Sequence, residues 1–158
     1  MSKTTPATLA LTRLGIPFAL HAYDYDPAGQ RVGLQAAEAL GAPPSQVLKT
    51  LIALVDGKPI CLIVPSDREV SLKKVAATFG GKSAKMAPIP DAERITGYKV
   101  GGVSPFGQKR KLPTAIEASA LAEPLVFVNA GRRGLQARLS PEDARAASEA
   151  VVAALVAE

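Results

Sequence analysis

Between Val47 and Val55 the chain is apolar at every position except Lys49 and Thr50. An apolar run of this length, broken only at those two positions and bounded by turn residues, marks a strand buried on both faces. Asp56-Gly57 follows, and Ile60-Cys61-Leu62-Ile63-Val64 resumes the pattern, so the two runs predict a hairpin at the centre of a sheet. Side chains alternate along a strand, which puts Lys49 on the face of Val47, Leu51, Ala53 and Val55. Thr50 points the other way, with Leu48, Ile52 and Leu54.

The remaining elements read from their punctuation. Thr5-Pro6 opens a helix that Gly15 closes, and a second helix over residues 32–40 ends at Gly41 before Pro43-Pro44. From Ile16 to Tyr25, Phe18, Leu20 and Ala22 alternate with Ala19, His21 and Tyr23 as in a strand, and Asp26-Pro27-Ala28-Gly29 reads as its turn. Ser71 caps a helix through Phe79 that Gly80-Gly81 ends, and another short helix starts at Pro90 and stops at Gly97. Leu125 to Asn129 and Leu135 to Leu139 are strands joined across Gly131-Arg132-Arg133-Gly134. Ser140-Pro141-Glu142-Asp143 begins a C-terminal helix with a cap, a proline and first-turn acids. Strands and helices interleave irregularly rather than as successive βαβ units. The expected fold class is therefore α/β of the α+β type, a mixed, largely antiparallel β-sheet or barrel surrounded by helices.

Composition narrows the chemistry. A length of 158 residues, 47 % of them hydrophobic, suits one domain spanning 1–158 with one sizeable core. One cysteine, Cys61, excludes an internal disulfide, and with His21 the only histidine a Cys/His metal site cannot be assembled, so neither metal nor cofactor is expected. No apolar run approaches a membrane span, and a cytoplasmic protein without a membrane partner is expected. A net charge of +5 favours a polyanionic partner. Aromatics make up 4 % and tryptophan is absent, which leaves little for a platform that stacks single-stranded bases.

Lys49 is the foremost candidate. Burying an ammonium is costly unless an anion, a ligand or water receives it, so a lysine in this frame either contacts substrate or lays its stem on apolar surface with its head in water. The second candidate is the loop Tyr98-Lys99-Val100-Gly101-Gly102-Val103-Ser104-Pro105-Phe106-Gly107-Gln108-Lys109, whose glycines let backbone N–H groups approach an anion or oxyanion, or are plain turn chemistry. A phosphate-binding P-loop is excluded, because Gln108-Lys109 stands where Lys and Ser/Thr must follow the second glycine. His21 and Cys61 read as packed residues, and Ser66, Ser71 and Ser104 lack the Gly-x-Ser-x-Gly elbow of a serine nucleophile. If Lys109-Arg110-Lys111 and Arg132-Arg133 flank the cleft of Lys49, they form a phosphate-contacting rim around it.

Val47-Leu48-Lys49-Thr50-Leu51, taken with Thr96-Gly97-Tyr98-Lys99-Val100-Gly101-Gly102-Val103-Ser104-Pro105-Phe106-Gly107-Gln108-Lys109, closely resembles the YbaK/EbsC family of aminoacyl-tRNA editing proteins. Ile16-Pro17-Phe18, His21-Ala22-Tyr23, Leu72-Lys73-Lys74-Val75-Ala76 and Gly131-Arg132-Arg133-Gly134-Leu135 extend the resemblance nearly end to end. It implies a stand-alone, trans-acting deacylase that removes cysteine from mischarged Cys-tRNA(Pro) on a compact mixed-sheet barrel. The implied chemistry is substrate-assisted: the cysteinyl thiol attacks its own ester and leaves as a thiolactone. The implied catalytic positions are Lys49, Gly101 and Gly102, and the implied substrate-binding positions are Tyr23, Val32, Thr50, Ser104 and Asn129. The implied partners are the 3′ end of aminoacyl-tRNA(Pro) and prolyl-tRNA synthetase, with no DNA. Val32, Asn129-Ala130 and Gln136 depart from relatives that carry Phe, Ser-Gly and Asp there, so Gln136 cannot be a general base. Two alternatives stand beside this reading: a deacylase for another small amino acid, as in Ala-tRNA(Pro), and a non-catalytic module that binds tRNA or prolyl-tRNA synthetase.

Overall fold

The computed structural model describes residues 4–26 and 32–158, so most of the expected turn at Asp26-Pro27-Ala28-Gly29 lies outside the described residues. Among the described residues five α-helices and eight strands follow in chain order: α1 Pro6–Arg13, β1 Ala19–Ala22, α2 Val32–Leu40, β2 Val47–Val55, β3 Lys58–Pro65, α3 Leu72–Thr78, β4 Ala84–Met86, α4 Ile89–Thr96, β5 Thr114–Glu117, β6 Val126–Arg132, β7 Leu135–Leu139, α5 Pro141–Ser148 and β8 Val151–Ala153. The strands form one sheet in the order β1-β7-β6-β2-β3-β5-β8, with β4 paired to β2 beside that path. The predicted β2–β3 hairpin is antiparallel and central, with Asp56 and Gly57 both at positive φ in its turn. Pairs β2–β6, β3–β5 and β5–β8 are parallel and the rest antiparallel, which gives the mixed sheet expected.

Side-chain capping explains the starts of α1, α3 and α5. Thr5 and Thr8 form a reciprocal capping box on α1, and the hydroxyls of Ser71 and Ser140 accept from the Lys74 and Asp143 N–H groups. One sheet face packs Leu48, Ile63, Ile116, Val126, Val128, Leu135 and Leu139 against Leu11, Tyr98 and Phe106, the largest of the core clusters. On the opposite face, Val47 and Phe127 pack beneath Ala36 and Ala37 of α2.

The structure differs from the sequence expectation at one strand and adds elements that the sequence did not mark. The strand expected over Ile16 to Tyr25 is ordered as a ladder only over Ala19–Ala22, because β7 offers it only the partners Leu135 to Arg138. The chain after Ser140 is not helical to its end: Glu149 takes a left-handed conformation that stops α5, and Val151–Ala153 adds a parallel edge strand beside β5. Strands β4, β5 and β8 carry three or four residues each, too few for a periodicity to register.

Candidate active site

The sheet splits where its chemistry lies. Strands β2 and β6 pair only through Val47↔Phe127 and Leu48↔Val128, then part. Farther along the same edge, β4 pairs with Ala53, Leu54 and Val55. The edge between these contacts borders a cleft of about 430 Å³, and Lys49 and Asn129 are the first residues past the fork on their two strands. Residues of one strand direct their backbone polar groups to alternate edges. Since the Ile52 carbonyl accepts from Ala87 N–H on this side, the N–H and C=O of Thr50 also face the gap.

The cleft has a polar and an apolar end. Lys49, Thr50, Ser66, Asn129, Gln136 and Gly101 supply the first, and Met86, Ala87, Ile89 and Ala92 line the second with Ile52. Met86 and Ile89 are 40 % and 59 % exposed at its mouth. Lys49 is half-buried, as its place between an apolar face and the cleft requires. The Thr50 hydroxyl is buried without a hydrogen-bond partner.

Asn129 joins two loops that meet at the polar end. Its Oδ1 accepts from the N–H groups of Gly131 (2.7 Å) and Arg132 (3.1 Å), which shapes the bulge between β6 and β7. Its Nδ2 donates to the Gly101 carbonyl at 3.2 Å. Arg133 completes the junction, donating from Nε to the Val100 carbonyl at 2.9 Å while its guanidinium lies 5.4 Å from the Tyr25 ring centre. Glycine is required here on two counts. Gly101 sits at φ +94°, and a Cβ at Gly102 would lie 2.7 Å from the Arg133 backbone nitrogen. The two glycines thus serve the close approach of loop to hairpin.

Of the residues singled out from the sequence, Lys49, Thr50, Gly101 and Asn129 line the cleft together. Gly102, Ser104 and Tyr23 are not among its lining residues. Ser104 is fully buried, and its Oγ accepts from Phe106 N–H inside the glycine loop. Tyr23 packs with Val47 and Phe127, and burial pushes its phenol pKa up, with Tyr25 adding to the rise and Gln136 and the Gly134 backbone opposing it. The side chain of Val32, at the start of α2, lies outside the described residues. His21 stacks edge-on to Phe127, and Cys61 is fully buried with its thiol pKa pushed up to about 12 by burial. Among the basic clusters, Arg132-Arg133 borders the cleft through Val100 and Gly101, whereas Lys111 is paired with Glu149 and lines a separate hollow with Pro105 and Ser148. None of Lys109, Arg110 and Lys111 is among the residues lining the cleft.

Sequence reasoning marked Gln136 only as a departure from the Asp of relatives and not as a site residue, and it missed Met86 and Ile89 as the apolar lip. Gln136 stands opposite Asn129 across β6–β7 and opposite His21 across β1–β7, in the middle of a polar row on one face of the sheet. A polar residue between Leu135 and Ala137 in a strand was the available signal.

The model of the aminoacyl-tRNA editing domain matches residues 30–147. A candidate Cys-tRNA(Pro)/Cys-tRNA(Cys) deacylase of Enterococcus faecalis, EbsC, is 37 % identical over 107 residues, 67 % of this chain and 65 % of that protein. The match therefore spans just under two thirds of that relative's length. A proline–tRNA ligase of Geobacter metallireducens is 36 % identical over 46 % of this chain and 13 % of its own. A solved structure described as a candidate trans-editing enzyme for prolyl-tRNA synthetase superposes with a TM-score of 0.83 at 26 % identity, covering 99 % of this chain and all of that one. With that fold, a match across most of its length, and Lys49 and the glycine loop meeting in one cleft, the chain belongs to the aminoacyl-tRNA editing domain family, the YbaK family.

Proposed function

We propose that this chain is a trans-acting deacylase that clears cysteine from mischarged Cys-tRNA(Pro) by letting the substrate's thiol cleave its own ester. The observation that carries the reading is the convergence of Lys49, Gly101 and the Thr50 edge on one cleft whose lining, among the described residues, has hydroxyls at Thr50 and Ser66 but no cysteine, histidine or carboxylate to act as or activate a nucleophile. Cys61 is fully buried behind Ile52 and Ala92 and does not line the cleft, burial pushes its thiol pKa up to about 12, and among the described residues no group of three or more metal-ligating side chains is found. A site of this kind supports a reaction whose nucleophile arrives with the substrate, by holding it in a reactive geometry and stabilising developing charge.

In this mechanism the cysteinyl sulfur attacks the acyl carbon and a C–S bond forms. The carbonyl oxygen gathers negative charge beside the Lys49 ammonium, and the C–O bond to the terminal ribose then breaks. The thiol proton goes to the departing 3′-oxygen, leaving a ribose hydroxyl and a four-membered thiolactone. Thr50 and the glycine loop fix the acyl group, and Asn129 holds the loop in place through Gly101. The partner is the acceptor end of aminoacyl-tRNA(Pro), with the tRNA body selected in company with prolyl-tRNA synthetase.

The test compares release from Cys-, Ala-, Ser- and S-methyl-Cys-tRNA(Pro). Rapid release from Cys-tRNA(Pro) alone, with thiolactone captured by hydroxylamine, supports self-attack. Equal release of alanine refutes the thiol mechanism and makes the chain a hydrolase for small amino acids. No release from any of the four would leave tRNA binding as its activity.

A further inference from the structure

Of the two amide side chains in the cleft, one is fully engaged by the fold and the other is not. Asn129 uses both ends of its amide on backbone partners. Gln136 is only 2 % exposed and lines the same cleft; its amide N–H end meets the Tyr23 hydroxyl, which opposes the rise in that phenol's pKa, while its Oε1 has no hydrogen-bond partner. A buried acceptor left in this state is exceptional in a folded protein and marks a place for a donor from outside.

We infer that Gln136 is a specificity-determining residue that accepts a hydrogen bond from the α-ammonium of the aminoacyl group, so that the cleft selects esters with a free α-amino group over N-acylated ones. The inference rests on the deacylase reading for the placement of the ester. Most polar atoms of an aminoacyl ester are acceptors, matched by Lys49 and by backbone N–H groups. The α-ammonium is its strongest donor, and only an acceptor can read it. The spacing agrees. Gln136 is the register partner of Asn129, which holds Gly101, so it stands one strand, about 4.8 Å, from the residue anchoring the loop. An α-nitrogen lies about 2.5 Å from its acyl carbon. A hydrogen bond adds about 2.9 Å, so the two steps span roughly one strand spacing. Among the described residues no carboxylate lines the cleft, so a neutral amide rather than an ion pair does the reading. A tertiary consequence is that peptidyl- and formylaminoacyl-tRNA, whose nitrogen is acylated, escape cleavage.

The test is binding of two non-hydrolysable adenosine amides, 3′-alanylamino-3′-deoxyadenosine and its propionyl counterpart, which lacks only the α-amine. Wild type is expected to bind the alanyl compound at least tenfold more tightly. Gln136→Met, of similar length without the acceptor, is expected to shrink that gap below twofold, and Gln136→Glu to widen it. Equal binding of the two compounds by wild type, no binding of the alanyl compound at millimolar concentration, or a gap that survives Gln136→Met overturns the inference. Should Gln136→Met fail to fold by circular dichroism, Gln136→Glu decides alone, and an unchanged gap overturns it. Because the readout needs no chemistry, amine-dependent binding without deacylation would refute the deacylase reading and leave this one standing.

Discussion

Asn129 ties the bulge of β6–β7 to the glycine loop, and two substitutions separate these roles. Asn129→Ala removes all three bonds and leaves the Gly131 and Arg132 N–H groups, both partly buried, without their acceptor. An unsatisfied buried donor costs about 1–3 kcal/mol, so the variant should lose about 2–4 kcal/mol. For a domain of this length each kcal/mol moves Tm by about 2–4 °C, which places the fall at roughly 5–15 °C. Asn129→Asp keeps the acceptor for both N–H groups but sets a carboxylate oxygen against the Gly101 carbonyl in place of a donor. Its stability cost is one hydrogen bond, about 1 kcal/mol, with a repulsion that the loop relieves by moving. The account therefore predicts a split: the Ala variant is unstable, while the Asp variant melts within about 5 °C of wild type yet loses at least tenfold in deacylation. Thermal denaturation by circular dichroism and single-turnover release from aminoacyl-tRNA measure the two sides. An Ala variant within 2 °C of wild type, or an Asp variant with full activity, refutes the reasoning.

Thr50→Val deletes a buried hydroxyl that has no partner in the protein. Stability should stay within about 1 kcal/mol of wild type or rise, while activity falls at least tenfold; a clear loss of stability in urea unfolding would contradict the assignment. Gly102→Ala drives a Cβ toward the Arg132 and Arg133 backbone, which cannot rotate away as a side chain would, so about 1–3 kcal/mol of stability and most of the activity should be lost. The Cys61 thiol stays neutral in the folded protein until about pH 12, whereas the unfolded chain ionises it from about pH 9. Its contribution is complete below the unfolded value and disappears as pH rises toward the folded one, at about 1.4 kcal/mol per pH unit in that window. Tyr98, its pKa also raised by burial, acts in the same direction at higher pH. Urea midpoints from pH 8 to 11 should fall less steeply for Cys61→Ala than for wild type, and parallel curves would count against the burial argument.

The sequence made the central hairpin legible because a two-faced apolar run broken by Asp56-Gly57 has few other structures open to it. It made Lys49 legible because a charge inside that run demands an explanation. The fork between β2 and β6 was not legible: parallel pairing joins residues some eighty positions apart, and nothing local says that it ends after Leu48. Gln136 escaped for the same reason. Its meaning comes from Asn129 and His21 on neighbouring strands, so strand alternation shows only a polar residue in an apolar strand and the resemblance shows only that relatives carry Asp there. Ser104 and Gly102 carried a clear motif signal that the structure resolves into the internal build of a loop, Ser104 by bonding to Phe106 and Gly102 by admitting the Arg133 backbone. Motif reading locates such a loop correctly but does not tell which of its atoms meet the ligand.

The central claim is that Lys49 stabilises charge on the ester in a site whose nucleophile is the substrate's own. Single-turnover release of cysteine from Cys-tRNA(Pro) by wild type and by Lys49→Ala, with tRNA affinity measured alongside, tests it most directly. The account predicts rapid release by wild type and a loss of at least 100-fold in the variant, largely in the rate at saturating enzyme rather than in tRNA affinity. A Lys49→Ala protein that releases cysteine within threefold of the wild-type rate would contradict it.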